Sequence, residues 1–288
     1  LKEKGNLHDA VDSYRRAIKI KPDHRASWNN IFFAMKPIHP QNGVLEDQIP
    51  LLREKNLSES IQIDASLLKY RLDSGGPRSE SSMREVLNLM SAAKNISIEN
   101  PDKKYEKVES KPNLSENVVA LLHFGRSGTG LLHSLIDNHS QVSTLPSFYF
   151  SEFFDVSTWD KISEGGWNAM ADRFISMYPV LFDSKAANPV PTKGSKTIAN
   201  MGQKEGLTNL GKGKDEALIV DKVQFREELR QLMLHCGRLD ASGFFKLVHM
   251  AYEKAVGNSA EKHVMFYHIH NPDTYAKLNF IRSMPHAR

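Results

Sequence analysis

The chain has 288 residues, 40% hydrophobic and 25% charged, the profile of a folded globular protein with room for one large or two smaller domains. Its formal net charge of +4 is too small and too dispersed to mark a nucleic-acid binder, although it suits a multiply anionic ligand. No apolar run approaches the roughly 18 residues of a membrane helix, the N-terminus lacks the apolar core of a signal peptide, and the lone Cys236 excludes an intrachain disulfide. No membrane partner, a reducing, cytoplasmic location and a buried, structural Cys236 are therefore expected.

The chain opens on Leu1, within what reads as a helix, so it is expected to be a fragment. In "GNLHDAVDSYRRAIKIKPDHRASWNN", Gly5 sits at a helix turn, Ala10, Tyr14 and Ala17 recur at helical spacing, Pro22 stops the helix and Trp28 opens the next unit. Small residues are needed where helices cross closely, and proline breaks a helix that must end. The pattern resembles a tetratricopeptide repeat. That resemblance implies a partial repeat over residues 1–36, further repeats ahead of Leu1, and a protein partner bound by the stacked array.

Over residues 37–116 the pattern weakens, with Pro37, Pro40 and Pro50 as breaks. Helices are expected over "LSESIQIDASLLKYRL" and "SSMREVLNLMSAAKN", with "DSGGPRSES" as a flexible turn between them. The charged, apolar-poor "NPDKKYEKVESKPNLSE" reads as a linker.

From Asn117 the character changes. "NVVALLHF" is a short apolar run suited to a buried parallel strand, "GRSGTG" a glycine-rich turn, and "LLHSLIDNH" an apolar-periodic helix. Helices are then expected in "GWNAMADRFISMYPVLF", "QFREELRQLMLHC" and "DASGFFKLVHMAYEKAV", strands in "EALIVD" and "KHVMFYHIH", and a last helix from Asp273 to about Met284. This alternation predicts an α/β domain over 117–288, with a P-loop-like parallel sheet flanked by helices.

A strand, a glycine turn and a helix N-terminus together form an anion cradle, because the first helical N–H groups lack intrahelical acceptors and glycine lets the backbone approach closely. Gly125, Gly128 and Gly130 supply that freedom. The nucleoside-triphosphate pattern GxxxxGK[ST] requires a lysine after the glycines. Here the cation comes early, at Arg126, followed by Ser127, Gly128 and Thr129.

That order resembles the 5′-phosphosulfate-binding loop of the sulfotransferases, in particular their carbohydrate-modifying branch. The likeness is strongest over 118–146 and looser to residue 288, where "HIHNPDTYAKLNFIRSMPHAR" is similar to the family's path into its 3′-phosphate-binding strand. Bacterial members carry tetratricopeptide repeats ahead of such a domain. The resemblance implies 3′-phosphoadenosine 5′-phosphosulfate (PAPS) as sulfuryl donor, held by the backbone of 125–130 and the Ser127 and Thr129 hydroxyls. Arg126 would stabilise charge on the sulfuryl and leaving phosphate oxygens, and no metal is required. The acceptor would be a hydroxyl or amine of unidentified chemistry.

A general base is also needed. The family's glutamate falls near Pro146, where no carboxylate stands, leaving Glu152 or His270 as candidates, while Glu152 is equally compatible with a solvated helix position. His268 and His270 alternate on one strand face without an identifiable third ligand, so packing or substrate contact is expected rather than a metal site. Tyr275, Leu278 and Ile281 recur at helical spacing, which puts Arg282 in a helix and the family's 3′-phosphate residues beyond Arg288. The glycine-rich, basic stretch 184–216, with Lys193, Lys196 and Lys212, is either a lid or a disordered insertion. Two rival functions stand beside a sulfotransferase: a P-loop nucleotide kinase or nucleotidase, and a catalytically inactive repeat-protein scaffold.

Overall fold

The computed structural model describes residues 5–21, 24–35, 59–74, 76–93, 96–102, 117–123, 127–137, 139–146, 153–186, 207–258, 260–270 and 274–288. The protein is mixed α/β and divides into two compact units, Leu1–Lys94 with Asp273–Leu278, and Asn95–Pro272 with Asn279–Arg288.

The first unit carries α1 (Leu7–Ile20), α2 (Arg25–Met35), α3 (Glu59–Asp73) and α4 (Ser79–Ala92), each packed on the one before it. Gly5 leads into α1 at φ 75°, a left-handed conformation that favours glycine. Ala10, Val11, Ile18, Trp28, Ile31, Ala34, Ala65 and Leu68 form the core, with Tyr14 packed against it. The small residues at 10, 34 and 65 let helix backbones approach, and the tryptophan fills the remaining space. Beside the turn between α3 and α4, buried Asp73 accepts a hydrogen bond from Ser82 Oγ and pairs with Arg78 at 3.2 Å.

The second unit carries β1 (Ser97–Glu99), β2 (Val118–His123), α5 (Thr129–Ile136), β3 (Val142–Thr144), α6 (Val156–Ser163), α7 (Met170–Met177), α8 (Lys222–Leu234), β4 (Arg238–Asp240), α9 (Ala241–Ala255) and β5 (Val264–His270), while α10 (Tyr275–Ser283) is divided between the units after Leu278. Three strands form a parallel sheet in the order β2-β5-β3. Its register runs from Val118 opposite Met265 to His123 opposite His270, and from Val142 opposite Val264 to Thr144 opposite Phe266. β1 and β4 make a separate antiparallel pair. At the free side of β2, Arg288 N–H donates to the Val118 carbonyl at 2.8 Å and Ala120 N–H donates to the Arg288 carbonyl at 2.9 Å. That is the bonding pattern of a parallel bridge.

Aromatic rings dominate the core of this unit. Phe280 of α10 meets Phe154 edge-on at 4.9 Å between centroids, and Phe245 of α9 lies 5.3 Å from Phe153 and 5.6 Å from Tyr267 of β5. Both long helices start on aspartates that accept from first-turn N–H groups: Asp221 from Val223 and Gln224 for α8, and Asp240 from Gly243 for α9.

Two expectations differ from the structure. "EALIVD" forms no strand; it makes two isolated bridges, Ile219 to Asp183 and Glu216 to Leu210, before Asp221 caps α8. The expected helix over 166–182 is divided into a 3-10 turn at Trp167–Ala169, α7, and a second 3-10 turn that starts at Pro179, whose missing N–H ends the helix. Cys236 lies just beyond α8, half-buried and free of disulfide.

Candidate functional site

The connection after β2 leads through α5 to β3, two places away on the far side of β5. The connection after β5 leads through α10 to Arg288, on the opposite side of β2. The chain therefore leaves the carboxyl ends of these two neighbouring strands in opposite directions, the arrangement at which open α/β sheets form a ligand crevice. His123 and His270, the last residues of β2 and β5, stand in register at that end.

Of the residues singled out in the sequence, Ser127, Gly128, Thr129 and Gly130 fall at this position, while Gly125, Arg126 and Glu152 lie outside the described residues. Gly128 takes the N-cap position of α5 at φ 78° and ψ 8°, with no side-chain cap. A β-carbon there would meet nothing within 4 Å, so only the left-handed backbone selects glycine. Leu132 N–H donates to the Gly128 carbonyl at 3.1 Å, which starts the helix. The amides of the first turn precede any intrahelical acceptor and carry the positive end of the helix dipole. Ser127, Gly128 and Gly130 are exposed and Thr129 half-buried, so an anion in solvent can reach these amides.

α5 does not bury the residues its periodicity selects. Leu131 and Leu135 are 67% and 72% exposed, whereas His133 is 6% exposed. Thr129 and His133, one turn apart, share the inward face. β2 likewise buries Val118 and His123 but leaves Leu122 half exposed.

Beneath the glycine turn lies a histidine group that sequence spacing did not reveal. Thr129 Oγ1 is 3.2 Å from His123 Nδ1, and His123 Nε2 is 3.0 Å from His268 Nδ1. The His123 and His268 rings stack at 5.2 Å, and His133 meets His268 edge-on at 5.4 Å. Neither ring nitrogen of His133 has a hydrogen-bond partner. Burial lowers its pKa, opposed by the Asp137 carboxylate and by the Leu145 backbone. No family model, curated protein or solved structure matches the chain. Among the described residues no group of His, Cys, Asp or Glu is arranged to hold a metal ion, and no helix is long and apolar enough to cross a membrane.

The remaining candidates are placed as follows. Arg282 is in α10, where its Nε donates to Asn279 Oδ1 at 3.0 Å. Asn279 Nδ2 in turn donates to the Phe154 carbonyl at 2.8 Å, which ties the segment following Glu152 to α10. Lys212 is exposed in the turn beyond residue 206, while Lys193 and Lys196 lie outside the described residues.

Proposed function

We propose that the chain is a sulfotransferase that moves a sulfuryl group from PAPS to a hydroxyl or amine acceptor. The observation that carries this reading is the left-handed Gly128 opening α5, the helix that follows β2, where connections from β2 and β5 leave in opposite directions. Such a turn presents converging N–H groups to an anion without a metal or a lysine. The sequence Arg126-Ser127-Gly128-Thr129 adds one guanidinium and two hydroxyls to those amides, a donor set matched to a phosphosulfate.

In this reading the acceptor oxygen or nitrogen attacks sulfur in line, and the bond from sulfur to the bridging phosphate oxygen breaks. The acceptor proton passes to Glu152 or His270, and adenosine 3′,5′-bisphosphate leaves with its new charge held by Arg126 and the first-turn amides of α5. The same reading takes α1 and α2, within residues 1–36, as a partial tetratricopeptide repeat of an array that engages a protein partner. The parallel sheet, extended by the Arg288 bridge, is taken as P-loop-like.

Calorimetric titration of the chain with adenosine 3′,5′-bisphosphate in a metal chelator tests the assignment. Binding without metal, lost in Arg126→Ala, supports it. Binding of ATP that requires magnesium would instead favour a kinase or nucleotidase, and no nucleotide binding even by a chain extended beyond Arg288 would favour a scaffold.

A further inference from the structure

We propose, taking the place of the anion from the reading above, that His123 is a positioning residue: it leaves the Thr129 hydroxyl free to donate to the bound anion and, through His268, couples anion binding to uptake of a proton.

Thr129 has one hydroxyl proton and a single histidine nitrogen 3.2 Å from its oxygen. If the hydroxyl donated to His123 Nδ1, only oxygen lone pairs would face an anion, and they would repel it. If His123 Nδ1–H donates to the hydroxyl oxygen, the proton is left for the ligand. An anion therefore selects the second arrangement. That makes Nε2 of neutral His123 an acceptor, and at 3.0 Å its donor is Nδ1–H of His268. Each donor in the series then points toward the glycine turn: His268 to His123, His123 to Thr129, and Thr129 to the anion. Donors in series polarise one another, so a further proton on the far nitrogen of His268 strengthens each bond toward the ligand.

His133 is the second observation at this place. It is 6% exposed, lies one turn after Thr129 on the same helix face, and has two unpartnered ring nitrogens against the His268 ring. A buried polar ring without partners is unfavourable unless the site needs it. It supplies a polar wall to the histidine pair, and because burial lowers its own pKa it does not compete for the proton. Among the described residues the ionisable groups near the pair include Asp137 at the end of α5, which accepts from Thr144 Oγ1 at 2.6 Å, Tyr267, which burial keeps far above the neutral range, and His270, whose backbone stands in register with His123. Thr144 of β3, the donor to Asp137, does not titrate.

Adenosine 5′-phosphosulfate is a suitable probe because its charge stays constant across the histidine range. Its affinity for the wild-type chain is expected to fall about five- to tenfold between about pH 6 and about pH 8. Calorimetry in two buffers of different ionisation enthalpy should read net proton uptake. His123→Asn places an amide N–H where Nδ1–H stood but breaks the link to His268, so it should bind without proton uptake and with little pH dependence. His123→Leu removes the donor and should weaken binding at both pH values. Proton uptake that persists in His123→Asn, wild-type binding without any uptake, or His123→Leu binding as tightly as wild type would each overturn the role of His123 and leave the anion site standing. No binding of the phosphosulfate at either pH would remove the anion site and this inference together.

Discussion

Ser143 Oγ of β3 and His249 Nδ1 of α9 lie 2.9 Å apart in the interior of the second unit, and the other ring nitrogen of His249 has no partner. Burial without a counter-charge pushes the pKa of this fully buried imidazole down to about 3. Below about pH 6.5 the unfolded chain binds a proton that the folded one refuses, so the stability tied to His249 is present above that pH and is lost as pH falls toward 3. By about pH 5 the loss from this group amounts to about 2 kcal/mol. Glu253, whose pKa burial raises, acts with the opposite sign, because its protonated form is the one favoured by the folded state. Urea unfolding of wild type and His249→Leu at about pH 7 and about pH 5 separates the two: the variant should lose less stability on acidification than wild type.

Tyr252 Oη donates to the Leu181 carbonyl at 2.7 Å, and the side chain is buried among Phe182 and Phe225. Tyr252→Phe retains the ring packing and leaves that carbonyl without its donor. A loss of about 1–2 kcal/mol is expected in denaturant unfolding. A variant as stable as wild type would mean that the carbonyl is satisfied another way.

The turn between α3 and α4 depends on buried Asp73, which takes a hydrogen bond from Ser82 and an ion pair from Arg78. Asp73→Ala leaves Ser82, itself 1% exposed, without its acceptor. The expected cost is about 1–3 kcal/mol, read as a lower melting temperature. Arg78→Ala, which removes a half-exposed partner only, should cost about 1 kcal/mol or less.

Gly128→Ala separates backbone conformation from packing, because the added methyl meets nothing within 4 Å while the residue must remain at φ 78°. The substitution should lower stability by about 1 kcal/mol through left-handed strain alone. If the turn holds the donor, nucleotide affinity should fall further than stability does, because the amides shift with the backbone.

How much was legible follows how local each signal was. β2, Gly128 and α5 lie close together in the sequence, so hydrophobic pattern and glycine spacing were enough to place them. Asp240 opens the helix expected from it, whereas Asp221, the cap of α8, reads in the sequence as the end of a strand because the apolar run before it masks its capping role. The strands β1, β3 and β4, at three residues each, escaped because their identity comes from pairing with distant chain rather than from a repeat. α5 misled in one respect: its leucines mark it as a helix, yet Thr129 and His133 form the inward face. The contact between His123 and His268 spans 145 positions, and only the register of β2 against β5 brings them together. "HIH" did draw notice to His268, but nothing in the sequence linked it to Thr129.

The central claim is that the first-turn amides of α5 hold the anionic end of a nucleotide. Amide chemical shifts of the chain titrated with adenosine 3′,5′-bisphosphate in a metal chelator test it directly. The largest downfield changes are predicted at Ser127, Gly128, Thr129 and Gly130. Shifts confined to other segments, or none on saturation with the nucleotide, would contradict it.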